Sequence, residues 1–149
     1  MARPIKWIIP ALLALLWSGP LVAQISDAQV RTFVEALRLS APDTGREDDG
    51  LYSDWQVQPQ AIARWSRRCT GVEMTAESFG ANPIVARQIL ECKMGEVLRE
   101  QYLAAGEDPL VAVLRAAAWW MTGDGDEYLG DAGPFAEKVL KNYRALSER

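Results

Sequence analysis

Residues 82–124 read NPIVARQILECKMGEVLREQYLAAGEDPLVAVLRAAAWWMTGD, and the same helical device occurs in them twice. Asn82 and Asp108 each supply a side-chain oxygen for the unpaired N–H groups at a helix start. Pro83 and Pro109 follow at the first helical position, where a missing N–H costs nothing. Gly106 and Gly123 provide the residue that most easily turns left-handed at a helix end. In the first of these helices Val85, Ile89, Cys92, Leu98 and Tyr102 form a mainly apolar face, with Glu96 and Glu100 on the wetter side. In the second, Val111 to Met121 is apolar nearly all round, which predicts a buried central helix.

The neighbouring stretches repeat these signals. Gly133-Pro134 opens a helix with Phe135, Val139, Tyr143 and Leu146 inward. Its Lys138, Lys141 and Arg144 point outward, the later ones favouring the helix C-terminus. Towards the N-terminus, Ser26 with Gln29 makes a capping box, and Val30, Phe33, Val34 and Leu37 follow at helical spacing. Ala41-Pro42 ends that helix, because the residue before proline avoids the α region. Residues 40–57 form a long Asp-, Gly- and Ser-rich loop, pinned in part by Leu51, Tyr52 and Trp55. Pro59 starts a helix that carries Ile62 and Trp65 inward, brings Cys69 near its end and closes at Gly71. Thr75 caps a short turn holding Phe79. No β alternation and no exact internal repeat is present. The fold class is all-α: a single helical domain of about five helices spanning 24–149.

The preceding residues, 1–23, have the three parts of an export signal. Arg3 and Lys6 give a positive start, and Trp7 to Trp17 form an apolar run of eleven residues interrupted by Pro10. Ser18-Gly19-Pro20 then breaks the helix before Leu21-Val22-Ala23. The run is too short for a bilayer, which takes about 20 apolar residues, so no stable membrane insertion is expected after cleavage. No cysteine lies near the cleavage site, which argues against a lipoprotein, and twin arginines are absent, which points to export of the unfolded chain.

Apolar residues make up 49% of the 149-residue chain and charged residues 24%, a balance that permits one globular core. Removing Arg3 and Lys6 with the signal leaves fourteen basic residues against twenty acids, a net charge of about −6. Nucleic-acid binding needs clustered positive charge to displace counterions, so none is expected. The one basic cluster, Arg64, Arg67 and Arg68, reads as a solvated helix face; its sharper alternative is a small anion site or partner contact. Cys69 and Cys92 are the only cysteines. In an oxidising compartment they are expected to pair, and Thr70 to Asn82 is ample chain for two helices to fold back on each other.

There is no histidine. That excludes Ser-His-Asp and Cys-His nucleophile systems in their usual forms and removes the commonest zinc ligand. No phosphate-binding glycine loop and no CxxCH stretch occurs. No cofactor, metal or catalytic residue is therefore assigned. Two alternatives remain open. Glu73, Glu77, Glu91 and Glu100 could supply the carboxylate pair of a glycan-cleaving enzyme, although no spacing singles out a pair. The acidic loops Asp43, Glu47, Asp48, Asp49 and Asp124, Asp126, Glu127, Asp131 could hold calcium, which needs six to eight converging oxygens. The second loop places Tyr128 and Leu129 where an EF-hand wants an oxygen ligand and glycine, so a solvated turn is the better reading.

Trp119 and Trp120 are adjacent and point about 100° apart on a helix. One is expected in the core and the other at the edge of a groove; plain packing is the favoured reading of the pair, since aromatics mostly serve cores, and a groove for a ligand or partner helix is the alternative. Arg87, Arg99 and Arg115 fall on or beside apolar faces, and if buried each must pair with an acid such as Glu91, Glu96 or Asp124. These five residues make up the candidate partner or ligand surface.

Trp65-Ser66-Arg67-Arg68-Cys69, Asn82-Pro83 with Ala86-Arg87, Cys92, Leu98 to Tyr102 (LREQY) and Arg115 to Asp124 (RAAAWWMTGD) resemble a group of small exported cyanobacterial proteins. The likeness covers most of the chain after the signal. It brings no activity with it and implies the periplasm or thylakoid lumen; secretion is the third option. The expected function is a non-enzymatic accessory or interaction module whose partner is another protein of the same compartment. The alternatives are a cell-wall glycan-acting enzyme and a calcium-binding module. Intact-mass measurement of the exported protein should place its N-terminus at Gln24 or within a few residues. A chain still beginning at Met1 and held in the membrane would make the segment an anchor instead.

Overall fold

The computed structural model describes residues 23–44 and 48–149. The segment expected to direct export, up to Val22, and Glu47 of the first acidic loop lie outside the described residues. Among the described residues six α-helices follow in order: α1 (Asp27–Ser40), α2 (Pro59–Thr70), α3 (Ala76–Ala81), α4 (Pro83–Ala104), α5 (Pro109–Thr122) and α6 (Gly133–Ser147). A 3-10 turn, Gly125–Leu129, joins α5 to α6. Among the described residues there is no strand, only an isolated antiparallel bridge between Tyr52 and Val57. The sixth helix is α3. Sequence reading predicts a short turn capped by Thr75; that cap is present, and the turn continues for six residues until Asn82. Asn82 then both ends α3 and caps α4 by accepting from Val85 N.

The other boundaries follow from their local chemistry. Ser26 and Gln29 form the reciprocal capping box of α1, Asp108 accepts from Leu110 N and Val111 N at the start of α5, and Gly71 and Gly123 adopt the left-handed conformation after α2 and α5.

Helices α1, α4, α5 and α6 pack as a closed ring, α1 on α4, α4 on α5, α5 on α6 and α6 back on α1. Phe33, Val34 and Leu37 of α1, Ile89, Leu90, Met94 and Leu98 of α4, Val113 of α5 and Val139 of α6 fill its centre. Ala112, Ala116, Ala117 and Ala118 of α5 are fully buried; helix separation depends on the side chains at the contact, and these small ones allow close approach. Polar bonds lock the ring. At the end of α1 the buried Ser40 hydroxyl accepts from Asn142 Nδ2 at 2.9 Å, and the Ser40 carbonyl accepts from Lys138 Nζ at 3.3 Å. The long loop is pinned by Trp55, buried, whose indole N–H donates to the Val34 carbonyl at 2.8 Å.

Helix α2 stands outside the ring, against α3 and α4. Only Ile62 and Ser66 of its twelve residues are buried, so packing alone holds it weakly. The Cys69–Cys92 disulfide ties it to α4, with Cα atoms 6.1 Å apart. Sequence spacing puts Cys92 on the apolar face of α4; the structure puts it at an exposed edge. The reason is that α4 touches α1, α2, α3 and α5, so its apolar positions are spread around the helix and its row of contacts with α2 lies at the rim. The bond closes a 23-residue separation, which in the chain-entropy account stabilises the fold by roughly 3 kcal/mol. Replacing both cysteines by serine should lower the unfolding free energy in urea by about that amount while leaving the far-UV helical signal. An unchanged midpoint would show that the cross-link contributes nothing.

Candidate functional site

The five residues of the expected surface separate into two groups. The three arginines become ties between elements. Arg87 of α4 donates to Glu35 of α1 at 2.8 Å and lies 5.1 Å from the centre of the Trp55 ring. Arg99 of α4 donates to Asp27 at the start of α1 at 2.7 Å. Arg115, the least exposed of the three, donates through Nε to Gln101 of α4 at 3.0 Å, pairs with Asp126 of the 3-10 turn and faces the Tyr128 ring. Their partners are thus Glu35, Asp27 and Asp126, and not Glu91, Glu96 or Asp124. The partner acids sit on the helix packed opposite or on the element that follows, where sequence proximity gives no guide.

Glu35 is shared between two guanidiniums. It accepts from Arg38 Nε at 3.0 Å within α1 as well as from Arg87 across the interface. The Arg38 hydrogen bonds hold its carboxyl below the usual carboxylate range, the Arg87 bond and both positive charges adding to them against the opposing effect of partial burial.

Trp119 and Trp120 come together with residues of α2. The indoles of Trp120 and Trp65 pack with centroids 5.6 Å apart at 40°, and Lys93 Nζ of α4 lies 5.4 Å from the centre of the Trp119 ring. Both tryptophans are half-buried, so neither is wholly in the core. They line a groove of about 840 Å3 whose walls are α2, the end of α5, part of α4 and the 51–58 stretch of the long loop. Met121, exposed, forms part of the same lining. This is the open side of α5: the apolar run that predicts a fully surrounded helix is covered by α4, α6 and the 3-10 turn along most of its length, but its last turn faces the groove.

The groove has a basic side. Arg64, Arg68 and Lys93 line it, and Glu96 is the only carboxylate on its walls among the described residues. Glu96 accepts from Arg68 Nε at 3.2 Å and pairs with Lys93 Nζ at 3.4 Å. Arg64 has no ion-pair partner among the described residues and is exposed. The third member of the cluster, Arg67, pairs instead with Glu73 away from the groove. The sequence reads Arg64 and Arg68 as a solvated face, with a small anion site or partner contact as the alternative, and Trp65 as an inward residue. Their contribution to one groove could be found only from how α2 lies against α5.

The remaining candidates stay dispersed. Glu73, Glu77, Glu91 and Glu100 do not line the groove. In the second acidic loop Asp124 accepts from Asp126 N as a helix cap, and Asp126 is engaged by Arg115. In the first, Asp49 accepts from Leu51 N and from Thr44 Oγ1. Among the described residues no three acidic or sulfur side chains converge as a metal site would require, and no helix is long and apolar enough to cross a membrane.

Fold and groove together define an all-α single domain with a lateral aromatic groove flanked by cations. No family model, no curated protein and no solved structure matches the chain.

The Glu35 pairing carries a pH signature. Because its folded pKa is lowered from 4.5, its contribution is complete above that value and is lost as pH falls through the folded value, where the unfolded chain binds the extra proton. Unfolding free energies measured from pH 6 down to pH 3 should therefore fall, and the fall should be shallower in Glu35→Gln. Equal slopes in the two proteins would remove Glu35 from the account.

Proposed function

We propose that this chain is a non-enzymatic interaction module of an extracytoplasmic compartment, and that the groove between α2 and α5 is where its partner binds. The observation that carries the reading is that half-buried Trp119 and Trp120 and exposed Met121 line an open groove at the end of an otherwise covered helix. Aromatic residues and arginine are the side chains that most often dominate protein interfaces, and a groove of about 840 Å3 is of the size that holds a ligand or an anchoring side chain with its neighbours. Glycoside cleavage needs two carboxylates of different protonation; this groove offers Glu96, with both oxygens engaged by cations. The compartment is inferred from the three-part pattern of residues 1–23 and from the Cys69–Cys92 disulfide, a bond that oxidising compartments maintain. The likeness to small exported cyanobacterial proteins favours the periplasm or thylakoid lumen.

A photo-crosslinking side chain at position 121 should give one discrete protein adduct in the native exported fraction. The same side chain at position 129, exposed on the 3-10 turn, should not. Equal labelling from both positions, or none from 121, would overturn the reading.

A further inference from the structure

We infer that the groove takes an acidic peptide segment bearing a large apolar side chain, contributed by another protein. This rests on the reading of the groove as the binding surface and specifies the chemistry of its occupant.

The argument begins with charge. The chain as a whole carries a formal charge of −4, yet α2 (PQAIARWSRRCT) contains three arginines and no acid. Two of these, Arg64 and Arg68, line the groove beside Lys93, against the single carboxylate of Glu96. The groove is therefore a locally positive surface on a negative protein. Such an arrangement draws in acidic segments and repels basic ones. Arg64 sharpens the point: it is exposed at the groove with its guanidinium unpaired among the described residues, and a planar guanidinium binds a carboxylate through two parallel hydrogen bonds.

Charge alone would equally suit a free anion. The apolar part of the groove decides for a peptide. The Trp65–Trp120 pair and Met121 form a surface that a small hydrophilic anion would leave wet. An apolar side chain seated there would bury both, and methionine adapts its shape to what it meets. The occupant therefore needs carboxylates and a large apolar group within one short segment. Nucleic acid supplies negative charge, but the chain's overall negative charge opposes its long-range approach.

The test uses the purified oxidised protein and three fluorescent peptides, read by polarisation. One carries a phenylalanine flanked on both sides by glutamates. The second keeps the phenylalanine and replaces the glutamates by lysines. The third keeps the glutamates and replaces the phenylalanine by glycine. The first should bind, weaken as salt is raised, and lose roughly tenfold in affinity with Arg64→Glu, the equivalent of one charge-assisted contact. The second and third should bind at least tenfold more weakly than the first. Arg64 is exposed and unpaired, so its reversal leaves the fold intact, which the far-UV spectrum and melting temperature check.

Equal binding of the lysine peptide, or no effect of Arg64→Glu, would overturn the inference. So would binding of anionic phospholipid vesicles in preference to the first peptide, which would make the occupant a membrane surface. If crosslinking from position 121 still yields one protein adduct while the acidic peptide fails, the interaction module stands and the acidic occupant falls.

Discussion

Arg115 is the only charge on α5, and its guanidinium must be satisfied where little water reaches it. A buried unpaired charge is among the costliest defects a fold can carry, so its three neighbours are constrained together. Gln101 of α4 accepts from it, Asp126 pairs with it, and the Tyr128 ring lies over it. This brings the 3-10 turn hard against α4 and α5. Gly125 sits so close to Gln101 that a Cβ there would collide with the carboxamide. The turn then delivers the chain to α6, whose Lys138 and Asn142 hold the end of α1. Glu35 and Asp27 return the connection from α1 to α4. Each polar contact joins two different elements, so register is specified as well as collapse.

Once the four helices close on one another, α2 has no place among them. Its sequence has too few apolar positions to claim one, and it lies on the outer side of α4 instead. The space between it and α5 is roofed by neither. Trp119 and Trp120 remain half-covered for that reason, and the cations of α2 and α4 border them. The groove is thus a by-product of a ring that is complete without α2.

Local signals carried most of the architecture. The capping box at Ser26 and Gln29, the Asn-Pro and Asp-Pro starts, and the left-handed glycines at 71 and 123 each act within a few residues, and each fixes its boundary where expected. The disulfide was legible too, from two cysteines and the chain between them. What sequence could not give was anything set by tertiary direction. Arg87 meets Glu35 across 52 residues and Arg99 meets Asp27 across 72. The nearer acids Glu91 and Glu96 lie on faces turned elsewhere. Periodicity also misled for α4: four neighbours leave it no single apolar face, so Cys92 could be mistaken for a core position. Half of the groove was visible as the Trp119-Trp120 pair; Arg64 and Arg68 were visible as a basic cluster and Trp65 as an inward residue, but not that they face the same space as the tryptophans.

The attachment of α2 has a bearing on when the groove takes its shape. A chain kept in a reducing environment holds two free thiols, and its α2 is then held by the burial of Ile62 and Ser66, the Trp65–Trp120 contact and the Arg68–Glu96 pair. The wall that presents Arg64, Trp65 and Arg68 then has no covalent tie to α4. Oxidation sets the wall in place. The shape of the groove is in this way coupled to the redox state of two thiols that lie outside it.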